Sequence, residues 1–255
     1  MQEKKKLQGQ VAIVTGASSG LGVRFAQVLA QAGARVALVA RRKERLESLV
    51  AAIAAEGGVA AAFACDVTDA TQIAPLVDDI EKHFGQPAQI LVNNAGTAIT
   101  RKTVDITLAE IDHMINLNFR APYVLAKAVG SRLIAEHLPG RIVNISSIGA
   151  FVHMGHIPAS LYNSTKAGVA RMSEMLAVEW AAQNINVNTI APGFFRSEMS
   201  APFLERQEEK LTAAMPRHRV GEPHQLDTTL LYLVDPKSEC VTGTTIKVDD
   251  GQMPR

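Results

Sequence analysis

The sequence predicts an α/β fold: one doubly wound, mostly parallel sheet of about seven strands with helices on both faces. Three observations predict it. Seven short apolar runs rich in β-branched residues recur along the chain, amphipathic stretches of helical length separate them, and glycines stand where the helical stretches stop. Runs that are apolar on both faces suit strands buried on two sides, and strand-helix alternation implies right-handed crossovers between parallel neighbours.

Taken in order, Val11 to Thr15 reads as the first strand, and a glycine-rich turn leads from it into a helix over Leu21 to Ala32 that Gly33 ends. Arg35 to Ala40 is the second strand, followed by a helix closed by Gly57-Gly58. Ala61 to Val67 is the third, and Gly85 ends the helix after it. Gln89 to Val92, Arg141 to Ile145, Ile185 to Ile190 and Thr244 to Val248 supply the remaining strands. Long helices are predicted over Leu108 to Glu136 and Asn163 to Gln183. The irregular region is Phe194 to Arg219, which is polar, charged and interrupted by Pro202 and Pro216. A long segment after the carboxyl end of a strand lies above the ligand crevice of such a sheet, which makes 194–219 a candidate lid.

A chain of 255 residues with 47% hydrophobic content can bury a full core, so one domain over 1–255 is expected. The 26 basic and 25 acidic residues leave a formal charge of +1, which provides no global field for nucleic acid or an anionic membrane. The two cysteines, Cys65 and Cys240, are far apart, as suits a reducing cytoplasm. The polar start and the lack of any run of membrane-spanning length predict a cytoplasmic protein with neither leader nor anchor.

Thr15-Gly16-Ala17-Ser18-Ser19-Gly20-Leu21-Gly22 directly follows the first strand and opens a helix. Glycines there permit a tight turn and close backbone approach to a pyrophosphate, and the helix N-terminus offers free amides to its charge. A bare strand-to-helix turn would look similar, but a nucleotide fingerprint belongs at this position of an alternating chain. Farther along, Tyr162-Asn163-Ser164-Thr165-Lys166 places a phenol and an ammonium four residues apart, on one helical face. A free phenol, with a pKa of about 10, needs a nearby cation to exchange protons near neutral pH. Tyr123 and Tyr232 lack such a lysine and are expected to pack.

These motifs, with Asp66-Val67, Asn93-Asn94-Ala95-Gly96 and Pro192-Gly193 in the same order, resemble those of the short-chain dehydrogenase/reductase family from Gln10 to Gly251. The resemblance implies a Rossmann fold and an NADP-dependent carbonyl reductase type of activity. Under it Gly16, Ser18, Ser19, Gly20, Leu21 and Gly22 border the cofactor diphosphate. Asp66 and Val67 hold the adenine, although Asp66 could also serve a helix start beside Thr68 and Asp69. Asn93 helps fix the sheet while Ala95 and Gly96 pass the ribose, and Pro192 and Gly193 lie under the nicotinamide.

The resemblance further implies that Tyr162 is the general acid and that Lys166 holds the ribose hydroxyls and lowers the phenol's pKa. Ser147 then binds the substrate oxygen. Ser146 competes with it, since alternation turns only one of the pair to the crevice, and the family uses the second. Asn118 matches the helix asparagine that holds a proton-relaying water, with Asn116 as its competitor.

For cofactor choice, an NAD enzyme of this fold places a carboxylate after the second strand, whereas a 2′-phosphate needs a cation. Here Ala40 precedes Arg41 and Arg42, so NADP(H) is expected over NAD(H), with Arg41 on the phosphate. Ser19 stands where many NADP-dependent members carry a basic residue.

The substrate pocket is expected to involve Ser147, Tyr162, Phe194, Phe195 and Phe203 together with His153 and Met154 from Ile148 to Leu161, a loop longer than the family usually carries. His153 and His156 without a third ligand do not make a metal site. A 3-oxoacyl thioester reductase is the alternative, with Arg171 available to dock an acidic carrier but Val178 where such enzymes often carry arginine. A non-catalytic nucleotide-binding protein is the third reading. By resemblance the partner beyond a small carbonyl or alcohol is the chain itself, as a homotetramer through the two long helices, with a homodimer as the alternative.

Overall fold

Residues 5–152 and 157–253 are described by the computed structural model. All seven apolar runs become strands of one parallel sheet: β1 (Val11–Thr15), β2 (Arg35–Ala40), β3 (Val59–Ala64), β4 (Ile90–Asn93), β5 (Gly140–Ile145), β6 (Ile185–Pro192) and β7 (Thr245–Val248). Their spatial order is β3-β2-β1-β4-β5-β6-β7. The order reverses at β1, so the crevice beyond its carboxyl end is where this class of sheet binds ligands.

Alternation along each strand supplies both layers. Val11, Ile13, Leu91, Ile142 and Val187 face one core with α3 (Ala70–Phe84), α5 (Ala121–Ala135) and α6 (Ser160–Glu179). Ala12, Val14, Leu38, Val92 and Val143 face the other with α1 (Gly20–Gln31), α2 (Lys43–Ala55) and α8 (Asp227–Val234). Complete burial of a side chain such as Phe25 of α1 contributes roughly 1.5 to 3 kcal/mol. Arg24 of α1 donates from Nε to both Asp227 carboxylate oxygens at 3.0 Å, which locks α8 beside the helix that starts at the glycine turn.

Three elements and two side chains differ from expectation. The third strand lies two residues earlier than Ala61 and stops at Ala64, because its register with β2 ends where β2 does, at Ala40. The predicted helix over Leu108 to Glu136 is broken by a wider π-helical turn, Asn116–Arg120, between α4 (Leu108–Ile115) and α5. Pro122 at the start of α5 has no amide to bond backwards, and the extra residue turns Asn118 inward. The segment over Phe194 to Arg219 contains α7 (Ala201–Ala213), which packs Leu204 and Leu211 against Met215 and Val220. Tyr123 and Tyr232, expected to pack, are about half exposed.

A polar seam runs through the core below the crevice. Asn93 of β4 donates to Asn144 Oδ1 of β5 at 2.8 Å, Asn144 donates to Ser173 Oγ of α6 at 2.8 Å, and Ser173 returns a bond to the Val169 carbonyl at 2.8 Å. Asn144 is fully buried. Asn144→Ala should cost about 2 kcal/mol, because it leaves two buried polar neighbours short of a partner. Urea denaturation measures this, and an unchanged midpoint would show that Asn93 and Ser173 find other partners.

Candidate active site

The carboxyl ends of β1, β2, β4, β5 and β6 open into one cleft of about 600 Å³. At its floor the chain leaves β1 through Gly16, whose positive φ of 67° and approach to Asn94 leave no room for a side chain: an added Cβ would lie 2.9 Å from Asn94 Nδ2 and 3.0 Å from Ala95 Cα. Thr15 fastens the two loops, accepting from the amides of Asn94 at 3.0 Å and Ala95 at 3.1 Å. Ser19 occupies the N-cap position of α1 without capping it, and the first turn carries no acidic residue, so the amides there remain available to an anion. A dinucleotide diphosphate fits that cradle.

Ser18, Ser19 and Gly20 line the cleft with Leu21, as do Asp66, Val67, Ala95, Gly96, Pro192 and Gly193. Gly22 lies in α1 just behind the turn and approaches the Gly16 carbonyl and Asn94. Asp66 caps no helix: its Oδ1 accepts from the Thr68 amide at 3.0 Å and hydroxyl at 2.8 Å, while Asp69 caps α3 through the Thr71 amide. Its carboxyl is held below the ordinary value despite the opposing effect of burial, because these Thr68 bonds, with Arg41 and His113 nearby, favour the charge.

The two arginines after β2 behave differently. Arg41 is largely exposed and lies 3.9 Å from Asp66. Arg42 folds onto the glycine turn, donating to Ser18 Oγ at 3.0 Å and Ser19 Oγ at 2.9 Å. The cation nearest the turn is therefore Arg42, one residue beyond the expected Arg41.

Across the cleft stand Ser147, Tyr162 and Lys166. Ser146 is excluded from the pair because it is buried and donates to the Lys166 carbonyl at 2.7 Å. Ser147, at the carboxyl end of β5, accepts from the Gly149 amide at 3.1 Å and is hydrogen-bonded to Tyr162. Burial pushes the Tyr162 phenol above its ordinary value, with the Ser147 bond opposing. Lys166 is not among the groups that shift the phenol: the ammonium is 5.8 Å from the ring centroid and donates to the Ile145 carbonyl at 2.8 Å. Burial lowers Lys166 itself to about 8.

Asn118, rather than Asn116, is the buried member of its pair. Both ends of its amide are engaged, Oδ1 with the Thr97 amide at 2.9 Å and Nδ2 with the Thr97 carbonyl at 2.9 Å and Thr165 Oγ1 at 3.2 Å. It thus clamps the loop after β4 to the helix that carries Tyr162 and Lys166. Gly96 lies where these meet, since an added Cβ would fall 3.3 Å from Asn118 Oδ1 and 3.4 Å from Lys166 Nζ.

Ser147, Tyr162, Phe194, Phe195 and Phe203 of the expected pocket wall all border the cleft. Phe195 is largely buried against Gly221 and also borders the cleft. Phe194 and Phe203 stack at 5.8 Å, and both residues border the cleft. His153, Met154 and His156 lie outside the described residues. Among the described residues no group of three metal-ligating side chains occurs, and no helix is long and apolar enough to cross a membrane.

Sequence reasoning did not single out Thr15, Thr165 or Asn144 for the site, although Thr15 stands in the quoted turn motif. It also passed over Ser197 and Glu198, whose contacts with Gly20 and Arg42 span more than 150 residues and leave no local signal.

A sheet whose carboxyl edge joins a dinucleotide cradle to a serine, a phenol and an ammonium defines a nucleotide-dependent α/β protein. Comparison with known proteins narrows the class. Residues 16–253 match a family model described as Enoyl-(Acyl carrier protein) reductase. The chain is 32% identical to a tropinone reductase homolog of Arabidopsis thaliana, covering 96% of this chain and 92% of the relative. It is 34% identical to the 3-oxoacyl-[acyl-carrier-protein] reductase of Thermotoga maritima, over 96% of this chain and 98% of that one. A crystal structure of a gluconate 5-dehydrogenase from Burkholderia cenocepacia, in complex with NADP and tartrate, superimposes with a TM-score of 0.91 at 27% identity, covering 98% of this chain and 97% of that one. The chain belongs to the short-chain dehydrogenase/reductase family and is an oxidoreductase.

Proposed function

We propose that this protein is a single-domain, NADP(H)-dependent reductase of ketones or aldehydes, running in reverse as a secondary-alcohol dehydrogenase. The observation that carries the reading is the convergence of Ser147, Tyr162 and Lys166 on the cleft into which the glycine turn opens. The bound dinucleotide supplies or accepts the hydride. The protein's own groups do the rest: Ser147 holds the substrate oxygen, and Tyr162 donates a proton to the alkoxide that reduction creates. A phenol kept protonated by burial suits that task, because an alkoxide is a far stronger base than a phenolate. Lys166 adds positive charge beside the cofactor ribose, and Asn118 positions the helix that bears both.

Arg42, with Arg41 beside it, is the proposed reader of the 2′-phosphate, which favours NADP(H) over NAD(H). Similarity to the gluconate dehydrogenase that binds NADP supports this reading.

A small ketone is the proposed substrate class, in keeping with the similarity to a tropinone reductase homolog. Likeness to the 3-oxoacyl reductase keeps a carrier-bound thioester as the second reading. Val178 of α6, 76% exposed, offers no cation for an acidic carrier and ranks it lower. The three convergent side chains argue against a non-catalytic role. A cytoplasmic homotetramer is proposed, with a homodimer as the alternative; exposed Ile115, Tyr123, Met175 and Val178 on α4, α5 and α6 suit burial by a second copy.

Oxidation of NADPH and NADH followed with graded ketones and a 3-oxoacyl thioester tests the assignment. Ketone-dependent oxidation faster with NADPH is the expected result, and the absence of oxidation with every carbonyl compound would refute it. Phe203→Ala should shift the optimum toward bulkier ketones. If it lowers stability and leaves the size preference unchanged, the Phe194 and Phe203 pair packs the lid and does not select.

A further inference from the structure

The segment after β6 reaches across the cleft to the glycine turn. Ser197 rests against Gly20, where an added Cβ would lie 3.0 Å from Ser197 Cβ. One residue on, Glu198 presents both carboxylate oxygens to Arg42, which donates to them from its two terminal nitrogens at 2.8 Å. Arg45 donates to the same carboxylate at 3.2 Å. Arg42 meanwhile keeps its bonds to Ser18 and Ser19. These bonds hold the Glu198 carboxyl well below the usual range, at about 2, so it is charged at any working pH.

A planar arginine fork closed by a two-oxygen anion is also the arrangement in which guanidinium recognises phosphate. This fork stands at the carboxyl end of β2 beside the glycine turn, where the adenosine ribose of a dinucleotide lies in this class of sheet. We propose that Glu198 is a lid-borne stand-in for the cofactor 2′-phosphate: it occupies the Arg42 subsite in the free protein, and the phosphate of NADP(H) displaces it. Glu198 is in this way a determinant of cofactor affinity, and the group that marks NADP(H) also unfastens the start of the lid. A phosphate monoester carries a charge of roughly −1.5 to −2 near neutral pH, more than the carboxylate it replaces, and repels that carboxylate once seated. NAD(H), lacking the phosphate, leaves the Arg42–Glu198 contact closed. The inference rests on the proposal that the protein uses NADP(H).

The test measures binding of adenosine 2′,5′-bisphosphate and adenosine 5′-monophosphate to the wild-type protein, Glu198→Gln and Glu222→Gln. Glu222 pairs with Arg196, both half-exposed, and controls for a general loss of negative charge. Wild-type protein should bind the bisphosphate more tightly than the monophosphate. Glu198→Gln should bind the bisphosphate about five-fold tighter still, the upper range for an exposed ion pair, with monophosphate affinity unchanged. Glu222→Gln should match wild type for both. If wild-type protein prefers the bisphosphate and Glu198→Gln binds it no tighter, the stand-in role is overturned while the NADP(H) reading survives. An equal gain in Glu222→Gln overturns the role as well, by assigning the effect to net charge. If no protein distinguishes the two probes, the NADP(H) reading falls and the stand-in role with it.

Discussion

Replacing Tyr162 by Phe should lower turnover by at least about 100-fold and leave dinucleotide affinity within the error of wild type. The substitution removes one hydroxyl and keeps the ring, so it deletes a proton donor without opening a cavity, and a positioned general acid contributes roughly 100- to 10,000-fold. Ser147, hydrogen-bonded to that phenol, can hold a substrate oxygen but is a much poorer acid. Steady-state NADPH oxidation with the best ketone, beside a cofactor titration, measures both quantities. Retained turnover would remove Tyr162 from the chemistry. The pH profile adds an independent check. Burial keeps the phenol protonated through the neutral and mildly alkaline range. An alkaline fall in reductive kcat/KM that begins near pH 8 would therefore report the loss of the Lys166 proton.

Replacing Lys166 by Met should abolish efficient turnover and yet stabilise the ligand-free fold by about 2 kcal/mol at pH 7. Burial lowers Lys166 from its ordinary 10.5 to about 8, so the folded protein carries the cost of a charged, desolvated ammonium. That shift corresponds to about 3 kcal/mol, and loss of the bond to the Ile145 carbonyl returns about 1 kcal/mol. Between pH 8 and 10.5 the unfolded chain binds more protons than the folded one, so the Lys166 contribution makes stability rise with pH across that window. Below about pH 8 the cost is fully present. Urea denaturation of both proteins at pH 7 and pH 10 tests this: the gap should be wide at pH 7 and shrink at pH 10. A destabilised variant at pH 7 would mean that the ammonium is well solvated or paired. A cost maintained beside the cofactor cradle is consistent with strain retained for function.

Much of the site was legible because it rests on local spacing. The glycine turn follows from positive φ and close approach at Gly16, and Tyr162 and Lys166 share a face because four residues make about one helical turn. Strand alternation reduced Ser146 and Ser147 to a choice, but only packing under α6 shows which hydroxyl is consumed by the Lys166 carbonyl. Asn118 was legible as a motif residue, whereas its hold on Thr97 and Thr165 depends on the π-helical turn, which no periodicity announces.

By itself, the sequence determined the α/β class, the seven-strand alternation and the residues of the cleft floor, because hydrophobic period and glycine placement act through near neighbours. Only the tertiary structure decided that Arg42 and not Arg41 folds onto the turn, that Phe195 packs against Gly221, and that Glu198 reaches Arg42 from 156 residues away. Those outcomes depend on how β2, β6 and the lid converge in space, and side-chain direction at the end of a strand is set by the neighbours that convergence brings.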